Sequence, residues 1–153
     1  MTVARPLPHD AAQLHVTGAA RYVDDIPCPR GTLHLAFGLS TIAAGRVTEM
    51  DLAPVRQSAG VIAVLTAGDL PQGADCSPSA HDEPLLCTGD VHYHGQPLFL
   101  VIATNHLAAR RAARRGTIRY AEAPPILSID AALSANSRFE DGPRIWQRGD
   151  AAR

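Results

Sequence analysis

Twice along the chain a strand, a short helix and a second strand follow one another in close succession, over residues 46–66 and 98–120. The connections are short for a right-handed parallel crossover, which needs about a dozen residues or more. A doubly wound parallel sheet is therefore a poor solution, and the spacing predicts a small α+β domain of mixed strands and short helices. The repetition is one of pattern, with no residue motif shared between the two segments. In the first segment, residues 46–51 read as a weak strand. Pro54 falls where the first turn of a helix accepts it, and Gly60 where a helix would stop. Residues 61–65 are apolar at both parities, as in a strand covered on both faces. In the second, residues 98–103 form the longest apolar run. Asn105 is placed to cap a helix and Gly116 to end it, with Leu107, Ala108 and Ala112 turned to the core. Residues 117–120 make a further strand, and Ser128 or Asp130 caps a last short helix reaching Ala135.

Ahead of these segments, Leu33, Leu35, Phe37 and Leu39 alternate with His34, Ala36, Gly38 and Ser40. Period two predicts a strand with the large apolar side chains buried and the small ones outside. Residues 1–16 contain two prolines and little periodicity and read as an arm. Residues 68–90 hold Pro71, Pro78, Pro84 and the acids Asp69, Asp75, Asp82, Glu83 and Asp90. A loop of that length is usually functional, an interaction surface or mobile. Residues 91–94 resume strand alternation before a turn at Gly95-Gln96-Pro97. The tail, residues 136–153, is polar and irregular, with Trp146 as its one large apolar anchor.

Composition excludes whole classes of chemistry. With 153 residues, 46% hydrophobic and 19% charged, the chain is long enough for one domain with a real core and is not a disordered segment. A net charge of -1 is unlike the basic excess of a DNA-binding domain. The longest apolar run is far short of a membrane helix and the N-terminus lacks a secretory pattern, so the expected compartment is the cytoplasm. All 14 basic residues are arginine, which removes the phosphate-loop lysine, Schiff-base lysines and pyridoxal anchors. Cys28, Cys76 and Cys87 are odd in number and widely spaced, so no disulfide is required and no iron–sulfur run is present.

Three constellations are candidates for function. His92 and His94, on one side of a strand and about 7 Å apart, could hold zinc or copper with Cys87 or His81, but read more simply as solvated side chains. Asp24 and Asp25 are neighbours that point apart on an extended chain, a poor arrangement for sharing a proton and a good one for a turn. Arg110, Arg111, Arg114 and Arg115 gather at a helix C-terminus, where the dipole favours cations. They could bind phosphate or RNA, yet no aromatic residues interleave with them to stack bases. No local nucleophile, zinc or dinucleotide motif is present.

One ordered series of motifs says more. Gly18-Ala19-Ala20-Arg21-Tyr22-Val23-Asp24-Asp25-Ile26-Pro27 precedes Leu33-His34-Leu35-Ala36-Phe37-Gly38-Leu39-Ser40. Gly60-Val61-Ile62-Ala63-Val64-Leu65-Thr66 with Asp69 follows, then Val91-His92-Tyr93-His94-Gly95-Gln96-Pro97. Ala108-Ala109-Arg110-Arg111-Ala112-Ala113 and Ile118-Arg119-Tyr120 complete it. The series resembles the N-terminal α/β-hammerhead domain of the xanthine dehydrogenase and aldehyde oxidase family. More narrowly, it resembles the start of the large, molybdenum-binding subunit of bacterial xanthine dehydrogenase. That resemblance implies a hammerhead over residues 17–135, an arm at 1–16, and a linker at 136–153 toward cofactor-binding domains not contained in the chain. It implies oxidative hydroxylation of hypoxanthine and xanthine to urate by a complete enzyme using molybdopterin, [2Fe–2S] clusters, FAD and NAD. The partners it implies are the downstream molybdopterin domains and an iron–sulfur/FAD subunit.

The family's base, substrate and cofactor motifs belong to later domains. No residue of this chain is accordingly assigned a catalytic, cofactor-binding or metal role, and the chain by itself is expected to be an inactive fragment. Gly18, Tyr22, Asp24, Asp25, Gly95, Gln96 and Pro97 are motif positions expected to be structural, and His94 stands where the family is expected to be apolar. A rival reading is a stand-alone binding module using the acidic 68–90 loop or the Arg110–Arg115 helix face. The two differ in one visible respect: a domain made to be covered by sister domains should expose an apolar patch, and a stand-alone module should not.

Overall fold

The computed structural model describes residues 3–4, 6–78, 82–138 and 146–150. The chain divides into two compact units, Met1–Leu33 and His34–Arg153. The first unit contains a helix, α1 (Ala12–Thr17), within the stretch expected to be an arm. Gly18 ends it in the left-handed conformation at φ 72°, and its N–H returns to the last turn. That is a routine glycine cap.

The second unit holds the strands β1 (His34–Leu39), β2 (Gly45–Asp51), β3 (Val61–Thr66), β4 (Asp90–Val91), β5 (Pro97–Ala103) and β6 (Thr117–Glu122). Its helices are α2 (Ala53–Arg56), α3 (His106–Ala113) and α4 (Ile129–Ser134). Two three-stranded sheets form, in the orders β1-β5-β3 and β4-β2-β6, and every pairing is antiparallel. This explains the short connections. Each strand–helix–strand segment leaves one sheet and enters the other, β2 to β3 through α2 and β5 to β6 through α3, so no parallel crossover is made. The α+β expectation holds, with two small sheets in place of one.

The helix ends follow the chain chemistry. Asn105 Oδ1 accepts from the Ala108 N–H at 2.8 Å and caps α3. Ser128 Oγ accepts from the Ala131 N–H at 3.2 Å, so Ser128 and not Asp130 caps α4. Pro54 sits in the first turn of α2 as its missing N–H allows. α3 ends at Ala113, before Gly116, and turns Ala109 and Ala112 inward while Leu107 is exposed. Alanines on that face let the helix lie close to the sheet. The core between the sheets and helices is built from Leu52, Val55, Val64, Cys87, Val91, Leu98, Phe99, Val101 and Ala112. Each such fully buried large side chain contributes about 1.5–3 kcal/mol relative to exposure. Trp146 does not anchor the tail: it is 92% exposed.

At the end of β3, Asp69 Oδ2 accepts from Thr66 N at 2.7 Å and from Thr66 Oγ1 at 2.8 Å. The backbone bond first, the hydroxyl bond second and the Arg56 charge third hold its carboxyl below the ordinary 3.8. The unfolded chain therefore takes up this proton first as pH falls. The stabilisation from Asp69 is complete above its unfolded value and disappears as pH drops through the lower folded one. Acid unfolding followed by circular dichroism should show Asp69→Asn losing less stability than the parent below about pH 4. Parallel curves would refute the assignment.

Candidate functional site

The first sheet has two unequal faces. Residues opposite one another across a pair share a face, and the register sets Ala36 against Val101, Gly38 against Phe99 and Val64 against Val101. This is the buried face, packed under α3. The other carries Leu35 against Ile102, Phe37 against Leu100, and Ala63 and Leu65 on the far side of the same two residues. Leu35, Phe37 and Leu39 are 55%, 52% and 49% exposed. The alternation in β1 thus forms the expected strand with the opposite orientation. Its small residues face inward because the ring of Phe99 occupies the space above Gly38, and its large apolar residues look outward. Residues 61–65 are correspondingly covered on one face only, and Ile62 is exposed at a register shift in β3.

Along the outer edge of β1 the apolar face continues into a groove of about 660 Å³. Phe37 and Leu39 form one wall, Phe99, Ile118 and Tyr120 the floor, and Arg110 and Arg114 of α3 stand at its rim. Arg111 and Arg115 line a different depression, beside Ser58, so the arginine cluster is split between two surfaces of the helix. Ion pairs among the described residues join Arg46 to Asp90 and Arg119 to Glu49; neither involves the helix.

The other sequence candidates are structural or are not brought together. Residues 92–94 do not continue a strand: β4 ends at Val91, and the His92 N–H is held by Gln96 Oε1 at 2.7 Å. His92 and His94 are exposed on the bend that follows, while the Cys87 thiol donates to the Asp90 carbonyl at 3.2 Å. His81 lies outside the described residues. Among the described residues no group of three or more His, Cys, Asp or Glu side chains is placed to hold a metal ion. Asp25 Oδ2 accepts from the Tyr22 N–H at 2.9 Å across the short turn Val23–Asp25, so the Asp24-Asp25 pair makes a turn. Tyr22 itself rests its hydroxyl on His15 Nδ1 at 3.3 Å.

Gly95, Gln96 and Pro97 form a turn locked by two buried residues, Gln96 and Ser40, of which Ser40 carries no motif in the sequence. Ser40 Oγ accepts from Gly95 N and Gln96 N, each at 3.0 Å, and donates to the Tyr93 carbonyl at 2.8 Å. Pro97 opens β5 directly behind this lock. The only sequence signal for Ser40 was its position at the end of the β1 alternation.

The sequence pattern of the family described as aldehyde oxidase and xanthine dehydrogenase, a/b hammerhead domain, matches residues 17–124. Xanthine dehydrogenase 2 of Arabidopsis thaliana is 36% identical over 149 residues, 97% of this chain and 11% of that protein. The nicotinate hydroxylase of Emericella nidulans is 35% identical over 144 residues, 94% of this chain and 11% of its own length. Among solved structures, the aldehyde oxidoreductase of Desulfovibrio gigas superposes with a TM-score of 0.75 at 28% identity, over 89% of this chain and 16% of that one. The chain spans about a tenth of the length of the curated relatives it matches.

Proposed function

Because the chain belongs to the a/b hammerhead family of aldehyde oxidase and xanthine dehydrogenase, we propose that it is a non-catalytic scaffold domain of a molybdenum hydroxylase. More narrowly, it is the N-terminal domain of the molybdenum-binding subunit of a xanthine dehydrogenase. The complete cytoplasmic enzyme hydroxylates hypoxanthine and xanthine to urate with molybdopterin, [2Fe–2S] clusters, FAD and NAD. This domain supports the molybdopterin-binding domains and contacts the iron–sulfur/FAD subunit. The observation that carries this reading is the open face of the first sheet. Leu35, Phe37 and Leu39 are half-exposed side by side on a strand whose small residues are inside. A free-standing module gains nothing from that orientation, whereas a domain covered by neighbouring protein buries the face on assembly. Near-equal identity to relatives named for different substrates also supports a structural role.

The described residues do not fit a [2Fe–2S] cluster, since no three His, Cys, Asp or Glu side chains among them are placed together. A [2Fe–2S] cluster takes four thiolates or their histidine replacements, and the chain has three cysteines, of which Cys28 and Cys76 are exposed and Cys87 is buried. The scaffold reading is tested on the purified 153-residue chain by elemental analysis for molybdenum and by an assay for urate. No bound metal and no turnover are expected; either signal overturns it. The complete gene product, supplied with xanthine, an aldehyde and nicotinate in turn, is expected to turn over xanthine. Turnover of another substrate in its place would overturn the narrower assignment and leave the scaffold reading standing.

A further inference from the structure

We propose that the groove along the outer edge of β1 is the seat of one extended, acidic segment of the same polypeptide, from beyond residue 153. The inference rests on the scaffold reading and names what one part of its surface holds. Two features of the groove specify the occupant's chemistry. The side chains of Arg110 and Arg114 stand at the rim and make no ion pair or hydrogen bond to any described residue. Two uncompensated guanidinium groups on one side of a groove favour a carboxylate, and their planar forks match its two oxygens. Beneath them Phe37, Leu39, Phe99 and Ile118 offer an apolar bed, so the acidic residue needs an apolar neighbour.

The backbone sets the occupant's shape. β1 is an edge strand, paired only with β5, so the groove runs beside unpaired main-chain groups. An extended segment can bond to these as well as fill the apolar bed, whereas a helix satisfies its own backbone. The relatives matched by the chain are roughly nine times its length, which leaves ample polypeptide to supply such a segment. Charge complementarity excludes a basic occupant.

Photo-crosslinking in the complete gene product tests this. p-Benzoylphenylalanine replaces Phe37, whose ring it resembles, and the linked peptide is identified by mass spectrometry. The expected result is one linked segment, downstream of residue 153 in the same polypeptide and containing Asp or Glu. Its yield should fall about fivefold or more in an Arg110→Glu/Arg114→Glu background. It should be unchanged in Arg111→Glu/Arg115→Glu, which alters the other surface of α3. A link to a separate subunit, to a second copy, to residues 1–153 or to a segment without acids overturns the proposal. So does a yield indifferent to the Arg110 and Arg114 reversals, or no link at all. The intact mass of the gene product separates the two readings: a product ending at residue 153 defeats the scaffold role, whereas a longer product without the link defeats only the groove's occupant.

Discussion

Gly38→Ala is expected to lower the thermal midpoint of the chain by about 10 °C, equivalent to about 3 kcal/mol. A Cβ at this position would lie 2.0 Å from Cζ and 2.1 Å from Cε1 of Phe99. The ring cannot retreat, since Phe99 is 1% exposed and its Cζ is already 3.0 Å from the place a Cβ on Gly116 would take. Neither glycine has a positive φ, so both are required for space and not for backbone freedom. The added methyl must displace the ring, separate β1 from its cover or tilt α3, and each of these disturbs the centre of the core. Phe99→Leu removes the far end of the ring. In the double variant the loss from Gly38→Ala should shrink, giving a coupling of about 1 kcal/mol or more. A shift below about 2 °C for Gly38→Ala, or strict additivity with Phe99→Leu, would show that the ring does not depend on that space.

The same contact explains which parts of the fold could be read from the chain. Alternation over residues 33–40 announces a strand, because period two is a property of the backbone. It says only that the two faces differ. The face chosen as the inner one depends on what approaches the sheet, and here that is Phe99 from the neighbouring strand together with the alanines of α3. Both lie more than fifty residues away in the sequence. The rule that large apolar side chains point inward assumes that the chain supplies its own cover. Leu35, Phe37 and Leu39 break it, which is the pattern expected where cover comes from elsewhere. Gly116 shows the same limit on a smaller scale. It stands where a helix stop would, yet α3 has already ended at Ala113, and the glycine serves as the seat of the Phe99 ring. The caps at Asn105 and Ser128 were legible because their bonds span three residues. His92 and His94 are solvated as their residue types suggest, but the strand expected over residues 91–94 ends at Val91, where a side chain four residues on, Gln96, takes the His92 N–H.

Ser40→Ala is the second large effect, and it measures the part of the fold that local reasoning could not reach. The turn at Gly95-Gln96-Pro97 is visible from its residue types, but the hydroxyl that holds it comes from a residue 56 positions earlier. Ser40 is 1% exposed, so water cannot replace the oxygen once a methyl group occupies its place. The Gly95 N–H would keep a bond to the Ser40 carbonyl at 3.1 Å, and the Gln96 N–H a longer one to Tyr93 at 3.3 Å. The Tyr93 carbonyl loses its 2.8 Å donor. Partial compensation of this kind places the cost at about 2–3 kcal/mol, below the sum for several orphaned groups. Thr41→Ala, at the exposed neighbouring position, should stay within about 0.5 kcal/mol. Denaturant titration measures both, and amide exchange at Gly95 and Gln96 should accelerate in Ser40→Ala alone. The lock joins the end of β1 to the start of β5, the two strands whose outer residues form the open apolar face. Loosening it should also raise exchange along β1, since the last residues of that strand are held to β5 through the turn. If Ser40→Ala matched Thr41→Ala in stability and exchange, the turn would be maintained by its own glycine and proline, and the buried hydroxyl would be incidental.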